Sequence, residues 1–217
     1  MKYKKIFVIA AHPDDEILGV GGTICKHVAN GDEVYVCIVT KGYEPQWSKA
    51  CMAAEILAQK KVDKFLGIKK RYNLDLPTVK LNIVPTGELN SKITKIVNKI
   101  NPDVVYTHFE NDLNYDHTLV FNSSMVATRP PKRIELLCFE TLSATEWGSR
   151  AFQPNVWSEI NKFVEKKIKA FQIYRSEIKK YPHPRSPQGI KILAQKRGSE
   201  ICVKYAEAFI SVRKIIV

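Results

Sequence analysis

The chain has 217 residues, 45% of them hydrophobic and 26% charged, which suits a globular fold with one sizeable core. No run of about eighteen apolar residues occurs, which argues against a membrane-spanning helix. Lysine and arginine outnumber the acids by 34 to 22, a net charge of +12 that would attract nucleic acid or an anionic small substrate.

The N-terminus, MKYKKIFVIAAHPDDE, imitates a signal peptide, but its apolar run is short and closed by charged residues. KIFVIAA (5–11) therefore reads as a first buried strand. A helix is predicted from about Asp14 to Ala29, stopped by Asn30 and Gly31. EVYVCIVT (33–40) is a second strand, rich in β-branched residues. Trp47 to Gln59 reads as a helix and DKFLG (63–67) as a short third strand. Leu89, Ile93, Ile96, Val97 and Ile100 recur at helical spacing from Glu88 to Ile100, where Asn101-Pro102 ends the helix. DVVYTH (103–108) is the fourth strand. This alternation predicts an α/β fold, a mostly parallel sheet with helices on both faces. ELLCFET (135–141) and NVWSEI (155–160) read as further strands, and Asn161 to Ile178 as a long amphipathic helix with lysines outward. YPHPRSPQ (181–188) holds three prolines and must be a loop, followed by a last helix from about Gly189 to Ala206. No repeat or low-complexity linker divides the chain, so a single domain over 1–217 is expected.

The five cysteines, Cys25, Cys37, Cys51, Cys138 and Cys202, are odd in number, scattered and without a CxxC pair. They suit small core residues in a reducing compartment, so a cytoplasmic location is expected, and they do not suit a thiolate zinc site.

The densest chemistry is AHPDDE (11–16), at the carboxyl end of the first strand, where open α/β sheets bind ligands. Pro13 suits a first helical position, which places Asp14 and Asp15 in the first turn. His12 and Asp15, three apart, can then share a metal, while Asp14 points elsewhere and stays available as a base. Each acid alone would more simply cap the helix; the whole His-Pro-Asp-Asp-Glu cluster after an apolar strand favours a metal. A third ligand is needed. His27 lies too far along the first helix, whereas His108, ending the fourth strand, and His117, in NDLNYDH (111–117), are equal candidates by spacing.

AHPDDE, LGVGGTI (18–24) and NDLNYDH together resemble the PIG-L or LmbE-like family of zinc-dependent N-deacetylases. ETLSATEW (140–147), FQPNVW (152–157), YPHPRS (181–186), and RGSE with AEAF (197–209) extend the likeness over nearly the whole chain. The resemblance implies a Rossmann-like fold, one Zn2+ held by His12, Asp15 and His117, and Asp14 as general base. It implies an N-acetylated amino sugar or its conjugate as substrate, and a family containing oligomers. Asp116, beside a ligand, would orient a ligand imidazole.

One position departs from the family pattern. Several members carry a histidine, acting as acid or electrophile, where this chain has Asn114. An amide can donate a hydrogen bond to an oxyanion but gives no proton, so His183 in YPHPRS becomes the candidate acid. Arg185 has the donor fork to grip an anionic or hydroxyl-rich substrate, and Glu146 and Trp147 could line a sugar pocket. Gly19, Gly21 and Gly22 either let the helix approach the site or serve helix–sheet packing.

Three rival readings are weaker. A metal-dependent phosphoesterase or nucleotide hydrolase usually wants two metals and more carboxylates. A nucleic-acid binder wants a clustered basic stripe, and the densest run here is KKR (69–71). A catalytically idle metal binder would have no use for Asp14.

Overall fold

The computed structural model describes residues 3–215. Seven strands form one sheet: β1 (Lys5–Ala10), β2 (Glu33–Lys41), β3 (Lys70–Pro77), β4 (Val104–His108), β5 (Glu135–Phe139), β6 (Val156–Glu159) and β7 (Ala206–Arg213). Their order is β3-β2-β1-β4-β5-β7-β6. β1 to β5 are mutually parallel, and β7 runs antiparallel to both β5 and β6. Six α-helices among the described residues cover the sheet: α1 (Asp15–Ala29), α2 (Lys49–Leu66), α3 (Thr86–Ile100), α4 (Tyr115–Ala127), α5 (Val164–Phe171) and α6 (Pro187–Ser199).

The central strand β1, buried from Ile6 onward, divides the core by its pleat. Ile6, Val8 and Ala10 face a cluster containing α1, α2, α5 and α6. Phe7, Ile9 and Ala11 face one containing α3 and α4. No helix among the described residues is long and apolar enough to cross a membrane.

Three predicted elements are corrected. Residues 63–67 end α2 rather than forming a strand, and Gly67, at φ 83°, closes that helix in the left-handed region. The third strand is instead Lys70–Pro77, an edge strand whose Asn73, Asp75 and Pro77 conceal it from propensity. The helix predicted over 161–178 is only α5, because the chain turns after Phe171 and carries Tyr174 inward to donate to Glu16. The last helix stops at Ser199, and 206–213 is strand β7. Gly198 makes that stop tight: a Cβ there would lie 2.5 Å from the Val203 carbonyl oxygen.

The glycine run of α1 serves packing. A Cβ on Gly19 would lie 2.2 Å from the Phe139 ring, and one on Gly22 would lie 2.8 Å from Ile160. At the same place a buried ion pair docks on the helix backbone. Glu207 accepts from the Gly22 and Thr23 N–H groups and from Lys167 Nζ at 2.6 Å, and Lys167 also donates to the Leu18 carbonyl. Lys167→Met leaves the Glu207 carboxylate buried without its cation, so a loss of about 3–5 kcal/mol is expected in denaturant unfolding. A loss below about 1 kcal/mol would show that the pair is not holding α1 to α5 and β7.

Candidate metal centre and catalytic cleft

β1 and β4 are adjacent and parallel, and the strand order reverses between them. Their carboxyl ends therefore open a crevice of the kind where α/β sheets bind ligands. From β1 the chain enters a turn through His12, Pro13 and Asp14 before α1 begins at Asp15. Asp14 is thus the residue preceding the helix rather than part of its first turn, and its φ of 105° is strained for an L residue. Glu16 holds that conformation, its carboxylate accepting the Asp14 N–H at 2.9 Å. The Asp14 side chain makes no capping bond, so capping does not account for it. The unusual backbone angle is what separates the two neighbouring carboxylates: Asp15 faces the histidines and Asp14 faces Arg185.

The first turn of α4 supplies the third member of the cluster, His117. His12 Nδ1 lies 3.1 Å from His117 Nε2, and Asp15 Oδ2 is 3.2 Å from both. These three ligand atoms lie within 4.8 Å of one another. Asp15 Oδ1 is buried and has no hydrogen-bond partner in this structure. Two imidazole nitrogens converging on a carboxylate with an unused buried oxygen fit a divalent cation that accepts nitrogen and oxygen ligands, as zinc does.

A second layer of carboxylates backs each histidine. His12 Nε2 is 3.1 Å from Asp116 Oδ2, and Asp116 is fixed in turn by the Val79 and Leu81 N–H groups. His117 Nδ1 is 3.1 Å from Asp112 Oδ1, a close but poorly aligned contact. Asp112 also accepts from the Asn114 N–H and the Thr145 hydroxyl. Sequence reasoning missed Asp112, although the acid stands in the same polar motif as His117.

The surplus of carboxylates makes this a place for positive charge. Burial opposes charge on His12, but hydrogen bonds to Asp116 and Asp15 outweigh it and push the ring up to about 10. Burial likewise opposes ionisation of Asp15, yet the neighbouring His117 charge and the bonds from both rings hold its carboxyl well below the usual range. His108 behaves differently. Burial first, then the His117 charge, keeps it well below the usual histidine range and hence neutral. Its Nε2 accepts the Ala11 N–H at 2.8 Å, leaving Nδ1–H to face the Thr141 hydroxyl. With that lone pair engaged, His108 is a stacked support for His117, at 3.8 Å between ring centroids. His27 lies away from the cluster, bonded to Asp32 and Tyr106.

The cleft beside the cluster has a volume of about 230 Å3. Asp14, Asn114 and Arg185 line it. Asn114 caps α4 through Oδ1, which accepts the Asp116 N–H and leaves the Nδ2 donor uncommitted. Arg185 donates to Asp14 Oδ2 at 3.0 Å and to Glu177 at 3.3 Å. Burial, foremost, pushes the Asp14 carboxyl well above its usual range, with Arg185 opposing and Asp15 adding to the rise. His183, Glu146 and Trp147 are not among the wall residues. Trp147 is exposed and meets the His183 ring edge-on at 5.7 Å, while Glu146 lines a separate recess with Tyr181. His183 Nδ1 accepts the Arg185 N–H at 3.1 Å. The aromatic residue in the wall is Trp47, packed over Gly42, which pattern reading placed only as a helix start.

Comparison with known proteins agrees with this architecture. The chain is 28% identical over 180 residues to the uncharacterized deacetylase YaiS of Escherichia coli (strain K12), covering 81% of this chain and 92% of that one. Among solved structures, the N,N'-diacetylchitobiose deacetylase of Pyrococcus horikoshii superposes with a TM-score of 0.78 at 24% identity, covering 95% of this chain and 82% of that one. The 4-carboxy-2-hydroxymuconate hydratase of Pseudomonas putida KT2440 shares the fold equally well, with a TM-score of 0.80 at 19% identity over 99% of this chain and 98% of that one. The fold alone therefore does not choose the reaction. The family model for GlcNAc-PI de-N-acetylase, PIG-L, matches residues 7–128, which carry both halves of the histidine–carboxylate cluster, and the chain belongs to that family.

Proposed function

We propose that the protein is a zinc-dependent hydrolase that removes an N-acyl group, most simply acetyl, from an amino sugar or its conjugate. The observation that carries this reading is a division of labour. A His12–Asp15–His117 set can hold the cation, and a separate buried carboxylate, Asp14, opens on the same cleft. A bound Zn2+ would acidify a water and polarise the amide carbonyl. Asp14 takes the water's proton as attack proceeds, and Arg185 fixes its orientation. Asn114 Nδ2 donates to the developing oxyanion. The nitrogen must leave as an amine. With His108 committed to the Ala11 N–H, Asp14 is the group that returns the proton it has taken. His183, whose Nδ1 accepts the Arg185 N–H, is taken as a hydrogen-bond donor through Nε2–H rather than as the acid. Trp47 offers the sugar ring an apolar face.

The phosphoesterase reading is less well supported. Among the described residues there is one three-ligand cluster and no second one beside it. Acetate release from N-acetylated sugars by the zinc-loaded protein tests the proposal directly. Turnover of phosphoesters without acetate release, or hydration of an unsaturated acid, would replace it.

The ligand assignment has its own test. His117→Ala is expected to lose most bound zinc, because one of three protein ligands is gone, while His108→Ala retains it. Metal analysis of the two variants decides, and the reverse pattern would transfer the ligand role to His108.

A further inference from the structure

Asp14 is held from two directions. Arg185 Nη1 donates to its carboxylate, and Glu16 Oε2 accepts its N–H. A carboxylate that reaches back to the N–H preceding a helix is an ordinary cap and needs no further partner. Here the other oxygen of Glu16 has two. Oε1 accepts the Tyr174 hydroxyl at 2.8 Å and lies 3.0 Å from Arg71 Nη2. Arg71 stands on β3 and is anchored in turn by Asp63 of α2, whose Oδ1 accepts from Nε at 2.9 Å. Glu16 and Tyr174 are both buried, so solvent weakens neither contact. Burial, then the Glu16 charge, pushes the Tyr174 hydroxyl well above its usual range, so it stays protonated and donates.

The two partners do different things. Arg71 supplies the cation that a buried carboxylate requires. Tyr174 supplies a directed bond, which fixes the rotation of the carboxyl and leaves Oε2 aimed at the Asp14 N–H. Tyr174 belongs to the segment following α5, which also carries Glu177, an acceptor for Arg185 at 3.3 Å. One segment thus reaches Asp14 by both routes: Tyr174 through Glu16 to the backbone, and Glu177 through Arg185 to the carboxylate.

We propose that Tyr174 is a positioning residue for Asp14: acting through Glu16, it holds the positive-φ turn that directs the carboxylate into the cleft. The inference rests on Asp14 being the base of the proposed deacetylation, and it names the side chain that aims that base. The strain supplies the reason. At φ 105° the Asp14 backbone persists only while its surroundings over-determine it. Without the Tyr174 O–H, the Glu16 carboxyl is free to turn toward Arg71 and release the Asp14 N–H, and the turn relaxes.

Tyr174→Phe removes one oxygen and keeps the ring in its packing. With N-acetylglucosamine and N,N'-diacetylchitobiose as probes, kcat of the zinc-loaded variant should fall about tenfold, the effect of losing a hydrogen bond to a charged group, with KM and zinc content within about twofold of the parent. In an Asp14→Asn background the same substitution should add less than about twofold, because no base is left to aim. An equal fall in both backgrounds, no fall in the parent, or a loss carried by KM or by zinc overturns the proposal. A second measurement needs no turnover. Amide hydrogen exchange followed by NMR should quicken at Asp14 about tenfold more than at Ile24, an interior amide of α1. An equal change at the two amides marks a general loss of stability and overturns the proposal. If neither probe is turned over by the parent, the deacetylase reading fails; in that case, or if Asp14→Asn is too slow to measure, exchange at Asp14 decides the positioning role by itself.

Discussion

Asp14→Asn is expected to keep its zinc and lose most of its turnover, by about a hundred- to ten-thousand-fold in kcat. The carboxylate is buried and points toward Arg185, away from Asp15 Oδ2 and the two imidazoles that converge on it. An amide fills the same space but cannot take the proton from water or hand it to the departing nitrogen. Metal content and kcat measured on the same preparation are decisive. Loss of both would make Asp14 a ligand, and near-normal turnover would place the base elsewhere.

The backbone at the same residue supports a companion expectation. A non-glycine residue at φ 105° costs of order 1–3 kcal/mol, and here the neighbouring Glu16 carboxylate holds it in place. Asp14→Gly relieves the strain and removes a buried carboxyl that burial disfavours. The variant should be inactive yet at least as stable as the parent in denaturant unfolding. A variant less stable by more than about 1 kcal/mol would mean that the Asp14–Arg185 pair contributes more to the fold than the strained turn costs.

What was legible in the sequence follows from what each signal depends on. Apolar strands β1, β2 and β4 and the amphipathic helix α3 announce themselves because burial on both faces or on one stripe dictates their composition. β3 and β7 did not. β3 is a polar edge strand, and the Glu207 of β7 looks misplaced in a strand until its bonds to Lys167 and the α1 backbone are seen. At the site, the pairing of His12 with Asp15 was readable from spacing, because three residues at a helix start share a side. The separation of Asp14 from Asp15 was expected for the wrong reason. It comes from the positive φ before the helix rather than from rotation within a first turn. The choice of His117 over His108 could not come from spacing. It depends on the Ala11 N–H, a backbone contact between adjacent strands that occupies His108 Nε2. Trp47, Glu177 and Asp112 reach the cleft or its ligands only through tertiary packing.

His183 carries the remaining large expectation. Sequence reasoning made it the acid that protonates the leaving amine, since Asn114 cannot. Its contacts point to a different role. Nδ1 accepts the Arg185 N–H, and a ring that accepts there in its neutral form has its proton on Nε2, as a donor of a hydrogen bond. The same bond ties the ring to the residue whose side chain orients Asp14, and Trp147 abuts it edge-on. His183→Ala is therefore expected to lower kcat by about tenfold to a hundredfold with zinc content unchanged, the effect of deleting a well-placed donor. The informative variant is His183→Gln. Its side-chain amide can donate a hydrogen bond from a similar reach but cannot supply a proton. Recovery of kcat to within about fivefold of the parent would mark His183 as a donor that steadies the oxyanion or a sugar hydroxyl, leaving Asp14 to carry the proton from water to nitrogen. If His183→Gln is as slow as His183→Ala, the imidazole itself is the proton source, and the hydrogen bond from the Arg185 N–H must be released during the catalytic cycle for it to act.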